Sequence, residues 1–337
     1  MALNDIRSLK INLKMSLLNA ENLFLLFDSP PTKDHLKMDE AQWQKLSSSI
    51  YENKSLEKLN ALAKSFQDIN ADIIMLCEVG GPESLKNFNE FFLDSKYSVA
   101  LMEGNSDRNI DVGFLVRKDL PFYFDLSSNK NRSINFVYPH ERGQNPPPTH
   151  KFSRDVAELK CFTKNADQPF LIFLLTHLKS RRDPEKKDPN GFERRKAELR
   201  TLIEIEQETE KKYPEIPLIM AGDFNGNAGF NNPDEEFKII YSNTSLKDVL
   251  ELQQVPAPER ATYYQVKTLG KTDGRQIDFC FLNPTATQFL KAGSCSVYRY
   301  KDEYGFKIDI PQNLEAKLQL PSDHYPLVFE LEGLSLE

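Results

Sequence analysis

Short, wholly apolar runs that stop on a carboxylate, an amide or an imidazole recur along this chain, and they leave few architectures open. The clearest is Leu218-Ile219-Met220-Ala221-Gly222-Asp223-Phe224-Asn225-Gly226-Asn227. A brief apolar stretch bounded by turn formers reads as a buried strand. Asp223 and Asn225 stand two apart at its tip, so both side chains leave one face of an extended chain. A carboxylate beside a carboxamide offers a base or acceptor and a donor to one small ligand. A strand followed by an ordinary Gly/Asn turn would look the same, and this stretch by itself does not choose.

Asp72-Ile73-Ile74-Met75-Leu76-Cys77-Glu78-Val79-Gly80-Gly81 repeats the pattern. Before it, from Ser55 to Ala71, Leu56, Leu59, Leu62, Phe66 and Ile69 recur at steps of three and four, the stripe of an amphipathic helix. Strand, helix, strand is the rhythm of a layered α/β domain. Lys14–Phe24, Ile110–Val116, Val156–Phe162, Phe170–Thr176, Gln276–Phe281 and a closing Ser322–Phe329 also read as strands, and Phe192–Lys212 as a long charged helix. Asp28–Asp39, Arg181–Asn190 and Gln144–His150, with Pro146, Pro147 and Pro148 in a row, read as loops. With no repeat, low-complexity tract or linker in view, residues 1–337 are expected to form a single domain.

Hydrophobic residues make up 39% of the 337, enough for a large core. A net charge of −7 argues against a surface that coats nucleic acid as a whole, yet leaves room for a local basic patch. Lys179 to Lys187, followed by Arg194, Arg195 and Lys196, is such a cluster, partly cancelled by Asp183, Glu185 and Asp188. Cys77, Cys161, Cys280 and Cys295 form no C-x-x-C pair, so buried reduced thiols are expected rather than zinc or a disulfide framework. Nowhere do 18 apolar residues follow one another, and Met1–Lys14 lacks the apolar core of a signal peptide. The expectation is a cytoplasmic protein with no membrane segment and no protein partner indicated.

The polar residues that follow or interrupt these runs are Asn19 and Glu21, Glu78, His177, Asp223 and Asn225, Asp278, and Asp323 with His324. Singly, each has an ordinary explanation. Glu78 would be a turn acid and His177 a structural hydrogen-bonder; Asp278, inside Gln276-Ile277-Asp278-Phe279, must be paired or at an edge. Repetition of the pattern is what those explanations leave out.

In their order along the chain, Asn19-Ala20-Glu21-Asn22-Leu23, Leu76-Cys77-Glu78, Thr176-His177-Leu178-Lys179, Gly222-Asp223-Phe224-Asn225, Gln276-Ile277-Asp278-Phe279 and Ser322-Asp323-His324-Tyr325-Pro326 resemble the endonuclease/exonuclease/phosphatase superfamily, whose members include deoxyribonuclease I-like enzymes. The resemblance implies a four-layer α/β/β/α sandwich of two packed mixed β-sheets flanked by helices, and metal-assisted cleavage of a phosphoester. Glu78 would be the leading ligand of Mg²⁺ or Mn²⁺, with Asn19 beside it, Asp323 contributing and Glu21 at a position that varies in the family. Asp223 and Asn225 would orient and deprotonate the attacking water and hold a phosphoryl oxygen. His324, its tautomer fixed by Asp278, would contact the phosphate, and His177 would assist the leaving oxygen, with Asp111 orienting it. Arg154, in Phe152-Ser153-Arg154-Asp155, resembles the family's phosphate-clamping arginine, although a surface arginine paired with an acid would have the same sequence. Lys179 and Arg108 would add positive charge for the substrate.

The family's phosphoinositide phosphatases carry Trp-Cys-Asp-Arg at the Asp278 position, sphingomyelinases are commonly exported or membrane-bound, and exonuclease III-like members have another residue where His177 stands. The reading that remains is a phosphodiesterase of nucleic acid, expected to be an endonuclease. A phosphatase or phosphodiesterase of a small nucleotide, inositol phosphate or lipid headgroup is the alternative, and a non-catalytic binding protein on this fold a remote one.

Overall fold

Strands covered on both faces need no polar alternation, and this is how the apolar runs are used. In the computed structural model, which describes residues 9–164, 166–183, 186–267 and 271–336, the described strands form two six-stranded sheets and a hairpin. The first sheet holds β1 (Lys10–Leu23), β2 (Ile73–Val79), β3 (Tyr97–Leu101), β4 (Asp111–Arg117), β13 (Ser296–Val297) and β14 (Leu327–Ser335), in the spatial order β13–β14–β1–β2–β4–β3. The second holds β5 (Tyr123–Ser128), β6 (Val156–Phe162), β7 (Leu171–His177), β8 (Leu218–Asp223), β9 (Lys247–Asp248) and β12 (Asp278–Leu282), in the order β5–β6–β7–β8–β12–β9. Each is mixed: β1–β2 and β7–β8 are parallel, while β1–β14 and β8–β12 are antiparallel. β10 (Tyr263–Val266) and β11 (Thr272–Arg275) make the hairpin.

Side chains alternate between two cores. Leu13, Met15 and Leu17 of β1 and Ile73, Met75 and Cys77 of β2 meet Leu171, Phe173 and Leu175 of β7 and Ile219 and Ala221 of β8 between the sheets. The alternate residues Leu18, Ile74 and Leu76 pack outward on α1 (Leu56–Ile69) and α2 (Gly81–Phe92). Ile172, Leu174, Leu218 and Met220 pack on Leu199, Leu202 and Ile203 of α3 (Phe192–Lys212). The outcome is helix, sheet, sheet, helix: the expected four-layer α/β (α+β) sandwich. Each fully buried Leu or Phe contributes roughly 1.5–3 kcal/mol, so three apolar interfaces decide the fold and leave strand ends free to carry polar groups.

Local signals place the helices. Ser55 caps α1 by accepting from the Lys58 N–H, and Asn70 ends it in the left-handed region at φ 49°. Phe192–Lys212 has the expected bounds. The closing strand differs: it begins at Leu327, so Asp323 and His324 lie in the loop that enters it, where Pro326 supplies no ladder N–H. α2, β3, β5 and the β10–β11 hairpin were not expected from the sequence. All four cysteines are free and buried. Among the described residues no helix is long and apolar enough to cross a membrane.

Candidate active site

The parity that builds the inter-sheet core also builds a polar cluster at its end. Asn19 continues Leu13, Met15 and Leu17; His177 continues Leu171, Phe173 and Leu175; Asp223 continues Ile219 and Ala221; Asp278 precedes Cys280 and Leu282. Period-two alternation turns all four toward the space between the sheets, where the apolar filling stops. His177 pairs in register with Asp223, and Asp223 with Asp278. Because β12 runs antiparallel to β8, a residue at the start of β12 meets one at the end of β8. Asp278 and His324 therefore reach the cluster from strand entrances, not exits.

The two sheets are bonded to each other here. Asn19 Nδ2 donates to Asp223 Oδ2 at 2.9 Å, and the Asn225 N–H donates to Asp223 Oδ1 at 2.8 Å. His177 Nε2 lies 3.5 Å from Asp223 Oδ2 and 4.0 Å from Glu78 Oε1. His324 Nδ1 is 2.7 Å from Asp278 Oδ2, while its Nε2 faces Asp323 Oδ1 at 3.8 Å and Asp223 Oδ2 at 4.0 Å. Ser322 Oγ donates to the Asn19 carbonyl at 2.6 Å and accepts from the His324 N–H at 3.1 Å, which ties this loop to β1. Gly222 is required by its neighbour: a Cβ there would lie 1.9 Å from the Thr176 carbonyl oxygen.

Backbone irregularity aims the acids. Pairing of β2 with β4 shifts register between Leu76 and Val79, and Glu78 takes φ 59°. Pairing of β1 with β2 shifts between Asn19 and Leu23, where Glu21 and Asn22 take φ 50° and 55°. Residues other than glycine adopt such angles at a cost, and bulges redirect side chains next to functional sites. The Asn22 N–H donates to Glu78 Oε2 at 3.2 Å.

The two histidines are driven apart in charge. Burial, then the positive charges of Arg154 and a protonated His324, push His177 well below the usual imidazole range, so it is neutral at pH 7. Burial also opposes charge on His324, but Asp278, Asp323 and Asp223 outweigh it and raise His324 well above that range. Burial and the Asp278 charge raise Asp223 to about 7. Burial would raise Asp323 too, but His324 and Lys317 hold it below the usual carboxylate range. A neutral imidazole, an imidazolium and a carboxylate poised near neutrality thus share one cluster, the pattern of an acid–base site.

Asn19, Glu78 and Asp323 present oxygen donors of the kind that suit a hard divalent cation. Among the described residues no lysine or arginine lies within ion-pair distance of Glu78, so its charge is left for another partner. The set suits a divalent cation. Glu21 is turned elsewhere, to Lys58 at 3.0 Å and to the buried Lys54 at 3.6 Å. Asp223, Asp278 and His324 also offer atoms within 4.8 Å of one another. Within the trio, His324 Nδ1 and Asp278 Oδ2 are joined by a 2.7 Å hydrogen bond.

Of the other expected residues, Arg154 is 6% exposed, and among the described residues its guanidinium bonds to Ser153 Oγ alone and its Nε has no partner. Arg108 donates to Asn22 Oδ1 at 2.6 Å, and Lys179 to the Arg182 carbonyl at 2.7 Å. Asn225 Nδ2 donates to the Leu178 carbonyl at 3.1 Å. Asp111 does not orient His177: it accepts from the Gly104 N–H, and His177 Nδ1 has no partner. The basic cluster is thinner than its sequence, because Arg181 pairs with Asp234 and Arg195 is buried against Glu236. Glu185 lies outside the described residues. Reading the sequence missed Ser322, Asn22 and Glu198. Glu198 falls on the buried stripe of α3 with Leu202 and Ile205, and a charge on such a stripe was the available signal.

A sequence model of the Endonuclease/Exonuclease/phosphatase family matches residues 14–268. Comparison with curated proteins finds no sequence match. Solved structures with the same fold include an endonuclease/exonuclease/phosphatase family protein from Bacteroides thetaiotaomicron, at 16% identity and TM-score 0.58, with 97% of this chain and 96% of that one covered. The human Nocturnin catalytic domain with bound sulfate anion aligns at 17% identity and TM-score 0.57, covering 96% and 95%. D. rerio TDP2 complexed with single strand DNA product aligns at 15% identity and TM-score 0.54, covering 95% and 98%. On the family match, the sandwich and the acid–base cluster at its edge, this chain belongs to the Endonuclease/Exonuclease/phosphatase family and is a phosphoester hydrolase.

Proposed function

We propose that the protein is a Mg²⁺- or Mn²⁺-dependent phosphodiesterase that acts on nucleic acid as an endonuclease, working as one domain in a reducing, cytoplasmic setting. The observation that carries this reading is Arg154. A guanidinium 6% exposed, with an orphaned Nε and, among the described residues, no carboxylate at ion-pair distance, is costly unless an anion completes it. It lies close enough to Glu78 and Asp223 for both to favour its charge. A phosphoryl group held there sits beside the acid–base cluster.

Asp223, held on both oxygens and poised near neutrality, orients the attacking water and takes its proton. His324, kept protonated through Asp278, donates from Nε2 to a phosphoryl oxygen as charge develops. Neutral His177 and Asn225 flank the same carboxylate and position the phosphoryl and leaving oxygens. Glu78, Asn19 and Asp323 would hold the cation, which supplies charge neutralisation at the phosphate. Arg108 and Lys179 extend positive charge away from the reacting centre. The single-stranded DNA product bound by the D. rerio relative supports a nucleic-acid substrate.

Plasmid DNA, RNA and bis(p-nitrophenyl) phosphate, each with Mg²⁺, Mn²⁺ or EDTA, test the reading. It predicts metal-dependent nicking of the polymers that Asp223→Ala and His324→Ala abolish. Turnover of phosphomonoesters alone would make the enzyme a phosphatase instead.

A further inference from the structure

A groove of about 1120 Å³ is lined by Arg154 but by none of the residues of the acid–base cluster. A small-molecule site needs roughly 300–1,000 Å³, so this space exceeds what a single phosphoryl group requires. Its walls have two unlike halves.

One half is cationic, and among the described residues four of its cations have no carboxylate at ion-pair distance. Arg108, Lys151, Arg154 and Lys179 line it, and each bonds to an amide, hydroxyl or carbonyl oxygen rather than to a carboxylate. Of its four acids, Asp107, Glu141, Asp183 and Asp188, three are occupied: Glu141 by His150 at 2.7 Å, Asp183 by the Lys187 and Asp188 N–H groups, and Asp188 by the Glu193 and Arg194 N–H groups of α3. Seven lysines and arginines line the groove against four acids, so a chain of net charge −7 is locally positive here.

The other half is an aromatic shelf from the segment between β5 and β6. Tyr138 stacks on His140 with centroids 5.5 Å apart and planes 18° from parallel. Phe136 and His150 brace Tyr138 edge-on at 4.6 and 5.2 Å, and Arg194 reaches its hydroxyl at 3.5 Å. His140, the outermost ring, is exposed. The stack is anchored within and open without.

We infer that this groove is a second subsite, which binds the nucleotides flanking the scissile phosphate of a single-stranded nucleic acid: His140 on Tyr138 stacks one base, and Lys151 with Lys179 takes the next phosphate. Charge alone would suit any polyanion. An open ring stack beside it suits a polyanion that carries flat faces, which a single strand presents and a duplex interior does not. The inference rests on the nucleic-acid reading above and adds to it a preference for single strands over duplex.

The test is fluorescence anisotropy in EDTA with fluorescein-labelled oligothymidylate, oligouridylate, a duplex, and an abasic strand of equal length. Wild type should bind the single strands best, with DNA and RNA distinguished by the first two probes. His140→Ala should weaken oligothymidylate about fivefold or more and the abasic strand far less, because stacking is worth about 1–3 kcal/mol per base. His140→Trp should tighten it. Lys151→Ala should weaken both strands and lower the salt slope by about 0.7, the loss of one phosphate contact. Equal losses on the two strands, or none, for the His140 variants would overturn the stacking subsite while metal-dependent nicking still stood. Failure of wild type to hydrolyse any phosphodiester would instead remove the reading beneath it.

Discussion

Asp223→Asn should abolish the chemistry and, relative to wild type, gain stability as pH rises, from none near pH 5 to a net gain near pH 8. The Asp223 carboxyl is 1% exposed and raised from 3.8 to about 7 by burial and by Asp278. Because the folded value is the higher, the unfolded chain releases this proton first. Between about pH 4 and pH 7 the folded state holds the extra proton, so stability falls as pH rises, by about 1.4 kcal/mol per pH unit. Between about pH 5 and pH 8 the group costs the wild type roughly 3 kcal/mol, and asparagine removes that slope. The variant also loses one acceptor of the pair serving Asn19 Nδ2 and the Asn225 N–H, a constant cost of about 1–2 kcal/mol. Urea unfolding of both proteins in EDTA reads the difference. The variant should be equal or weaker near pH 5 and stronger near pH 8, the gap widening by about 3 kcal/mol. A gap that does not change with pH would refute the claim that Asp223 carries a proton near neutrality.

Three further outcomes follow from the same geometry. Asp278→Asn removes the main charge that holds His324 protonated, so the alkaline limb of the kcat/KM profile should move to lower pH while Asp278→Glu moves it less. Arg154→Ala should lower kcat/KM on the order of 10²-fold, with lysine restoring little because it lacks the planar fork. Glu198 accepts from the Ser153 and Lys179 N–H groups at 2.8 and 2.7 Å and so braces the segments that carry Arg154 and Lys179; Glu198→Ala should cost about 3 kcal/mol in urea unfolding and raise KM more than it lowers kcat.

Much of this was legible because core parity and site parity are one signal. The residues that alternate as Leu13, Met15, Leu17 lead directly to Asn19, and those that alternate as Ile219, Ala221 lead to Asp223. The bounds of Phe192–Lys212 were readable from its charged, uninterrupted helical sequence. What stayed hidden depends on long-range contact. Nothing local says that Asp278 and His324 approach from strand entrances, since only antiparallel pairing decides it. β5 has no fully buried residue and so carries no strong apolar pattern. Whether Glu21 would face the cation or a lysine rests on Lys54 and Lys58 being brought against β1, and Arg195 turned inward because Glu236 lies across from it. Arg154 could be recognised as an arginine before a strand, but its unpaired burial is a property of the assembled sheets.

The most direct measurement is hydrolysis of an end-labelled oligonucleotide in ¹⁸O-water with Mg²⁺. Attack of an Asp223-activated water on phosphorus predicts one ¹⁸O in the new terminal phosphate, no product in EDTA, and none from Asp223→Asn or His324→Ala. Unlabelled phosphate, or turnover that survives EDTA and both substitutions, would contradict it.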